Sequence, residues 1–500
     1  MILFKNASFI TGGEDCRVCK YLAIHKNKIA YIGDEIPAAF SAAKQIDLKG
    51  KTVVPAFSDT HIHFESYALF RSTVDVRDAK NFREMGNMIK QYLYLNPSTQ
   101  FLPAYGCSAH TVEEKRLPDK NALDIITSRP LLIVKYDGHA AVANSSLIKV
   151  LPPEVTSDPG FDAETGWLYQ NAFYKGVNFI TQKIPPLKII DGLNDTSEEL
   201  AKKGIAYVHT VEGVGYARDV DVDLLRGASK KLHQKFKIFF QTMDVEKVTR
   251  RKMDCIGGCF SLALDGCFGS EDAALSEPYT NNENNKGFLA YSQEEVTEFC
   301  KKANAAGLRI ALHAIGDAAV EQAINAFDAA LEGKPSKKCT HVLIHGDLMP
   351  EHLQKKAAEL GVTVAVQPAF LDWKQEPQEY LESILGDRAK QMLPLRSMID
   401  NGLILTAGSD APCTIPDPIY GIHLCCNHPN PEQSITALEA LNMYTCWAAR
   451  ACGDDAERGT LMAGKAADFV VLDQNILDIP SNEIKNTKVL STVIGGKVIK

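Results

Sequence analysis

Apolar and polar positions alternate in short runs at both ends of the chain and follow a longer rhythm between them. Residues 2–7, 21–25 and 29–33 are rich in β-branched and aromatic side chains, with Lys26-Asn27-Lys28 between the last two. They predict short strands joined as hairpins. Residues 467–473 and 489–499 repeat the pattern. The two strand-rich ends, residues 1–53 and 455–500, are expected to pair into one small β-sandwich domain.

Between them, strand-like runs alternate with helix-like ones. Residues 294–306 carry apolar side chains at helical spacing, stop at Gly307 and lead into the apolar run 308–313. Residues 351–360 repeat this, with Gly361 as the stop and 362–367 as the next strand. Such alternation over residues 54–454 predicts an α/β fold with a parallel sheet. Polar residues recurring at strand C-termini narrow it to a (β/α)8 TIM-like barrel. Residues 65–200 fit the rhythm poorly and include a Pro/Asp/Gly-rich stretch at 151–166. That is too long for an ordinary βα loop, so an inserted subdomain covering the active-site face is expected.

The chemistry concentrates where strands end. Residues 51–58 read as a strand leading into Asp59-Thr60-His61-Ile62-His63. Side chains two apart on a strand share a face, so His61 and His63 project together and suit a divalent metal. Further donors end other apolar runs: Glu212 before Gly213, His313 in Leu308-Arg-Ile-Ala-Leu-His313, His345 after Val342-Leu-Ile344, and Asp410 after Leu403-Ile-Leu-Thr-Ala-Gly-Ser409. The bland alternatives are a solvated strand end for the first pair, a surface glutamate at 212 and a satisfied buried histidine at 313. His341 lies four residues before His345 and is expected on the same face, deeper in the barrel. A metal lowers the pKa of bound water toward about 7, and an aspartate such as Asp410 is placed to take its proton.

Composition narrows the partners. Fifty-four Lys and Arg against 62 Asp and Glu give a net charge of −8, which offers nucleic acid or an anionic membrane no attraction. No apolar run reaches the roughly 18–20 residues that span a bilayer, and the N-terminal residues lack the pattern of a signal peptide. Thirteen cysteines without framework spacing suggest reduced thiols and a cytoplasmic protein. Cys16 and Cys19 form a C-x-x-C with no second half, which reads as a surface hairpin. The remaining partners are a small-molecule substrate and a second copy of the chain in a homodimer.

Several strings together resemble the amidohydrolase superfamily, in its YtcJ-like (amidohydrolase 3) branch, which includes N-substituted formamide deformylases. They are Val54-Pro-Ala-Phe-Ser-Asp-Thr-His-Ile-His63, Asp137-Gly-His139 through Leu147, Leu264-Asp-Gly266, Ala273 through Tyr279, His313-Ala-Ile-Gly-Asp317, Gln367-Pro368, Gly408-Ser-Asp-Ala-Pro412 and residues 459–472. The resemblance implies a metal-dependent hydrolase on a (β/α)8 barrel. His61, His63, His313, His345 and Asp410 match its metal and catalytic positions, and zinc, one ion or two, is the implied cofactor. Relatives tend to carry a lysine four residues before the Asp-Gly pair, carboxylated to bridge two metals; here that residue is Ser261. Glu212 is the expected substitute, then Lys135, then Cys259 or Cys267. The implied reaction is cleavage of a non-peptide amide, formamide or cyclic amide by metal-bound hydroxide. Asp410 shuttles the proton, His345 or His139 stabilises the oxyanion, and His139, Asp317 and Gln367 meet substrate. Deamination, or a silent binding and scaffold role, are the alternatives.

Overall fold

The computed structural model describes residues 1–215, 217–332 and 341–499, with the side chains of residues 217 and 260–262 outside the described set. The central frame is a barrel of eight strands: β1 (Phe57–Ile62), β2 (Ile205–Glu212), β3 (Lys235–Phe240), β4 (Cys255–Ala263), β5 (Arg309–Ala314), β6 (Val342–His345), β7 (Thr363–Val366) and β8 (Ile404–Ala407). Neighbours pair in parallel and in chain order from β1 to β8. The seam between β8 and β1 is closed just past the ladder. The Asp410 amide donates to His61 O at 2.8 Å, and the His63 amide donates to Ala411 O at 2.9 Å.

Helices alternate with these strands for readable local reasons. Ser292 caps the helix Gln293–Ala305 in a reciprocal capping box with Glu295, which satisfies two otherwise orphaned donors. The helix Glu351–Leu360 stops at Gly361, whose φ of 74° is cheap only for glycine. Val296, Phe299, Ala303, Leu353 and Ala357 from these helices join Ile310, Leu312, Val364 and Leu405 from the strands in one core. That layer burial is the main stabilising term for such a frame.

The apparent single strand before the histidine pair is two. Lys44–Pro55 belongs to the terminal sheet, and the chain crosses into the barrel at Ala56. Lys44–Pro55 lies between Ile2–Ile10, parallel, and Phe469–Leu472, antiparallel, with Val53 opposite both Phe9 and Val471. The N- and C-terminal strands thus share one sheet and one core, in which Phe4 meets Phe469 edge-on at 5.2 Å. The sheet curls until Ile29 and residues 464–465 exchange backbone hydrogen bonds.

A second, five-stranded sheet lies between β1 and β2 in the chain. It is formed by Val74–Asp75, Leu102–Cys107, Leu131–Lys135, Ala140–Ala143 and Trp167–Tyr169. Its flanking helices, Phe64–Arg71 and Pro186–Lys202, were expected inside the insertion. Instead Phe64, Tyr67, Ala68, Leu193 and Leu200 pack into the barrel core. Gly192 lets the two helices touch: a Cβ there would sit 3.0 Å from Ala68 O. Arg77 fastens the insertion to the barrel mouth by donating to Pro412 O at 2.6 Å and to Cys413 O at 3.1 Å.

Candidate metal centre and cavity

Strand ends deliver the donors. His61 closes β1 and is buried. Asp410, just beyond β8, places its Oδ1 3.1 Å from His61 Nε2 and 3.3 Å from His63 Nε2. The His313 ring at the end of β5 meets the His345 ring at 4.5 Å, and His345 meets His61 at 5.5 Å. His345 and Asp410 both adopt left-handed backbone, with φ of 73° and 53°. Non-glycine residues are held there only when the surroundings enforce it. These turns aim both side chains inward, which strand parity alone does not predict. His341 shows the consequence: it precedes β6, stacks on Phe327 at 5.5 Å and bonds Asn304 at 3.1 Å in the helix layer.

One donor comes from β4. Cys259 Sγ lies 3.4 Å from His61 Nε2. The donors form three overlapping groups, each with ligand atoms within 4.8 Å of one another: His61, His63 and Cys259; Cys259, His313 and His345; His61, His345 and Asp410. Burial of so many polar groups is costly unless they are satisfied, yet His313 Nδ1 and His345 Nδ1 find no hydrogen-bond partner among the described residues. Imidazoles, a carboxylate and a thiol converging in this way fit a borderline-soft divalent cation.

Electrostatics agree with that fit. Burial pushes the Asp410 carboxyl up, but the charges and hydrogen bonds of His61 and His63 hold it well below the usual carboxylate range. Burial lowers His61, and burial with His313 alongside lowers His345, so both offer neutral rings. Burial, with Asp410 next, pushes the Cys259 thiol well up; a coordinating thiol is deprotonated outright. Behind the donors, Asp265 accepts from the amides of Ala274, Ile315 and Gly316 at 2.8–3.0 Å and lies 3.5 Å from His313 Nδ1.

Three expected site residues lie elsewhere. Glu212 is buried but is not in a donor group. Its Oε1 accepts from the Glu65 amide at 3.2 Å and from the Thr210 hydroxyl at 2.5 Å. Period-two alternation is the reason: Val211 shares the barrel interior with His61 and His209, so its neighbour faces outward. Burial, with Asp221 beside it, pushes Glu212 up to about 8. Asp317 opens the helix Asp317–Leu331 and binds the Ser276 amide at 3.0 Å, off the cavity. Gln367 is fully buried, donates to Ala365 O at 2.9 Å and does not line the cavity. Lys135 is engaged by Asp137 at 2.6 Å and Ser270 at 2.7 Å, and does not line the cavity. Ser261, at the usual lysine position, has its side chain outside the described residues.

Five of the donors floor a cavity roofed by Phe70 of the helix Phe64–Arg71 and, from the insertion, by Tyr105, Phe173 and Tyr174. His139 lines it too, its ring 6.2 Å from that of His313. Phe370, Trp373, Asp347 and Glu376, none singled out from sequence, form the opposite wall. The place of Asp347, two residues after His345, is a sequence signal that could have found it.

Comparison with known proteins follows the same lines. A family model described as the amidohydrolase family matches residues 44–500. The chain is 24% identical over 490 residues to YtcJ of Bacillus subtilis, covering 91% of this chain and 90% of that protein. It is also 24% identical over 548 residues to N-substituted formamide deformylase of Arthrobacter pascens, covering 99% and 97%. An uncharacterized metal-dependent hydrolase from Pyrococcus furiosus superposes with a TM-score of 0.76 at 25% identity, over 95% of this chain and 100% of that one.

Proposed function

The chain belongs to the amidohydrolase family, and from that premise we propose that it is a zinc-dependent hydrolase of non-peptide carbon–nitrogen bonds. The observation that carries the reading is the convergence of six buried donors: His63, Cys259, His313, His345 and Asp410 line one cavity, and His61 lies directly behind them. Zinc suits this mixture of nitrogen, oxygen and sulfur ligands. When bound, such a metal polarises a carbonyl and lowers the pKa of water toward about 7.

This chain's own residues do the rest. Asp410, kept ionised by His61 and His63, accepts the proton of the attacking water at a carboxylate oxygen and returns it to the leaving nitrogen. His139, whose ring lies 6.2 Å from that of His313 on the cavity wall, is placed to stabilise the carbonyl oxygen as it gains charge. The aromatic roof excludes bulk water and strengthens each of these interactions. Cys259, rather than Glu212, takes the place of the missing bridging lysine. Six converging donors support hydrolysis over a silent binding role, which would leave them without use. All cysteines among the described residues are free thiols, which supports a cytoplasmic setting.

The test is amine release from a panel of N-formyl, N-acyl and cyclic amides by protein supplied with zinc. Turnover of one class, lost on chelation and regained with zinc, is expected. Turnover of esters alone would contradict the carbon–nitrogen assignment.

A further inference from the structure

Two carboxylates in the cavity wall take no part in the donor groups. Asp347 is 2% exposed, and its Oδ1 has no hydrogen-bond partner among the described residues. Glu376 is 8% exposed; its carboxyl accepts from the Tyr136 hydroxyl at 3.1 Å and from the Gly269 amide, and feels the Lys135 charge without forming an ion pair with it. Neither forms an ion pair among the described residues, whereas Asp137 on the neighbouring wall is neutralised by Lys135 at 2.6 Å. Beside them the rings of Phe370 and Trp373 stack at 4.6 Å and 14°, and both face the cavity.

Burial pushes both carboxyls up, Glu376 to about 7, because their lost hydration is not made good. A cation between them makes it good and stabilises the ionised form. Stacked aromatic faces add to its attraction and offer none to an anion. We propose that this wall binds a cationic group of the substrate, an ammonium or guanidinium, with Asp347 and Glu376 as counter-ions and Phe370 and Trp373 as the rings it packs against. The proposal rests on the hydrolase reading only in taking the occupant to be part of the substrate; cation binding is measurable without turnover.

The experiment is calorimetric titration of the full chain, zinc-loaded and zinc-free, with phenethylammonium and its neutral analogue 2-phenylethanol at neutral pH. The ammonium is expected to bind at least about 10-fold tighter in both forms. Asp347→Asn and Glu376→Gln should each weaken its binding by about 10-fold and leave 2-phenylethanol nearly unaffected. Equal affinity for the two probes, no binding of the ammonium, or wild-type affinity in both variants overturns the proposal. If one variant fails to fold, the other and the wild-type probe pair still decide. Ammonium binding without amide turnover keeps this subsite and removes the hydrolase reading; amide turnover without ammonium preference does the reverse.

Discussion

Asp410 engages His61 twice: its amide donates to His61 O at 2.8 Å, and its carboxylate lies 3.1 Å from His61 Nε2. The first bond joins the ends of the first and last barrel strands. The second sets the charge at the site's centre. The same residue therefore closes the fold and, in the proposed mechanism, moves the proton. Asp410→Asn separates these roles. The amide side chain can still offer an oxygen but cannot accept a proton near neutral pH. Metal content should stay near wild type while kcat falls by about 10²–10⁴-fold. Turnover near the wild-type rate would exclude Asp410 as the base.

Cys259 and Glu212 divide the question of the bridging ligand. Cys259→Ala should lower metal content, because the cysteine belongs to two of the three donor groups. Glu212→Gln should not, because Gln keeps the oxygen that accepts from Glu65 and Thr210. Metal analysis of both variants checks this; loss of metal in Glu212→Gln alone would reverse the assignment.

Glu212 also predicts a pH dependence. Its folded pKa is raised from 4.5 to about 8, so between these values the native state holds a proton that the unfolded chain has released. Stability therefore falls as pH rises through that window, by on the order of a few kcal/mol in the limit of full burial. Glu212→Gln removes the effect. Its melting temperature relative to wild type should rise between pH 5.5 and pH 8.5, about the span of that window. A constant difference across that span would contradict a buried, proton-holding Glu212.

Gly408 supplies a test that touches no donor. A Cβ there would meet His61 N at 2.5 Å and His61 Cβ at 2.8 Å, and backbone cannot yield cheaply. Gly408→Ala should displace His61, reducing metal content and activity together, while far-ultraviolet circular dichroism stays native-like. Full metal loading in Gly408→Ala would show that β1 has slack at this point.

Much of this was legible in sequence because strand ends announce themselves. His61, His63, His313, His345 and Asp410 each end an apolar run, and the barrel follows from the alternation around them. Side-chain direction was less legible. Val211 and Glu212 differ by one residue, and parity sends only the first inward. Cys259 follows Gly257 and Gly258, whose φ values of 100° and 135° break regular alternation, so it ranked only third, behind Glu212 and Lys135, among the expected substitutes. Asp317 looked like a site residue because it follows His313, but the helix it begins turns it toward Ser276. The cavity wall of Asp347, Phe370, Trp373 and Glu376 comes from loops after β6 and β7, where no periodicity operates.

Six buried side chains converge to hold a metal, and elemental analysis of the purified, zinc-supplemented full chain beside His61→Ala checks this. At least one equivalent of divalent metal per wild-type chain is expected, with a large loss in His61→Ala, since His61 joins two of the three donor groups. Wild-type protein that binds no metal, or a His61→Ala variant that binds as much as wild type, would contradict it.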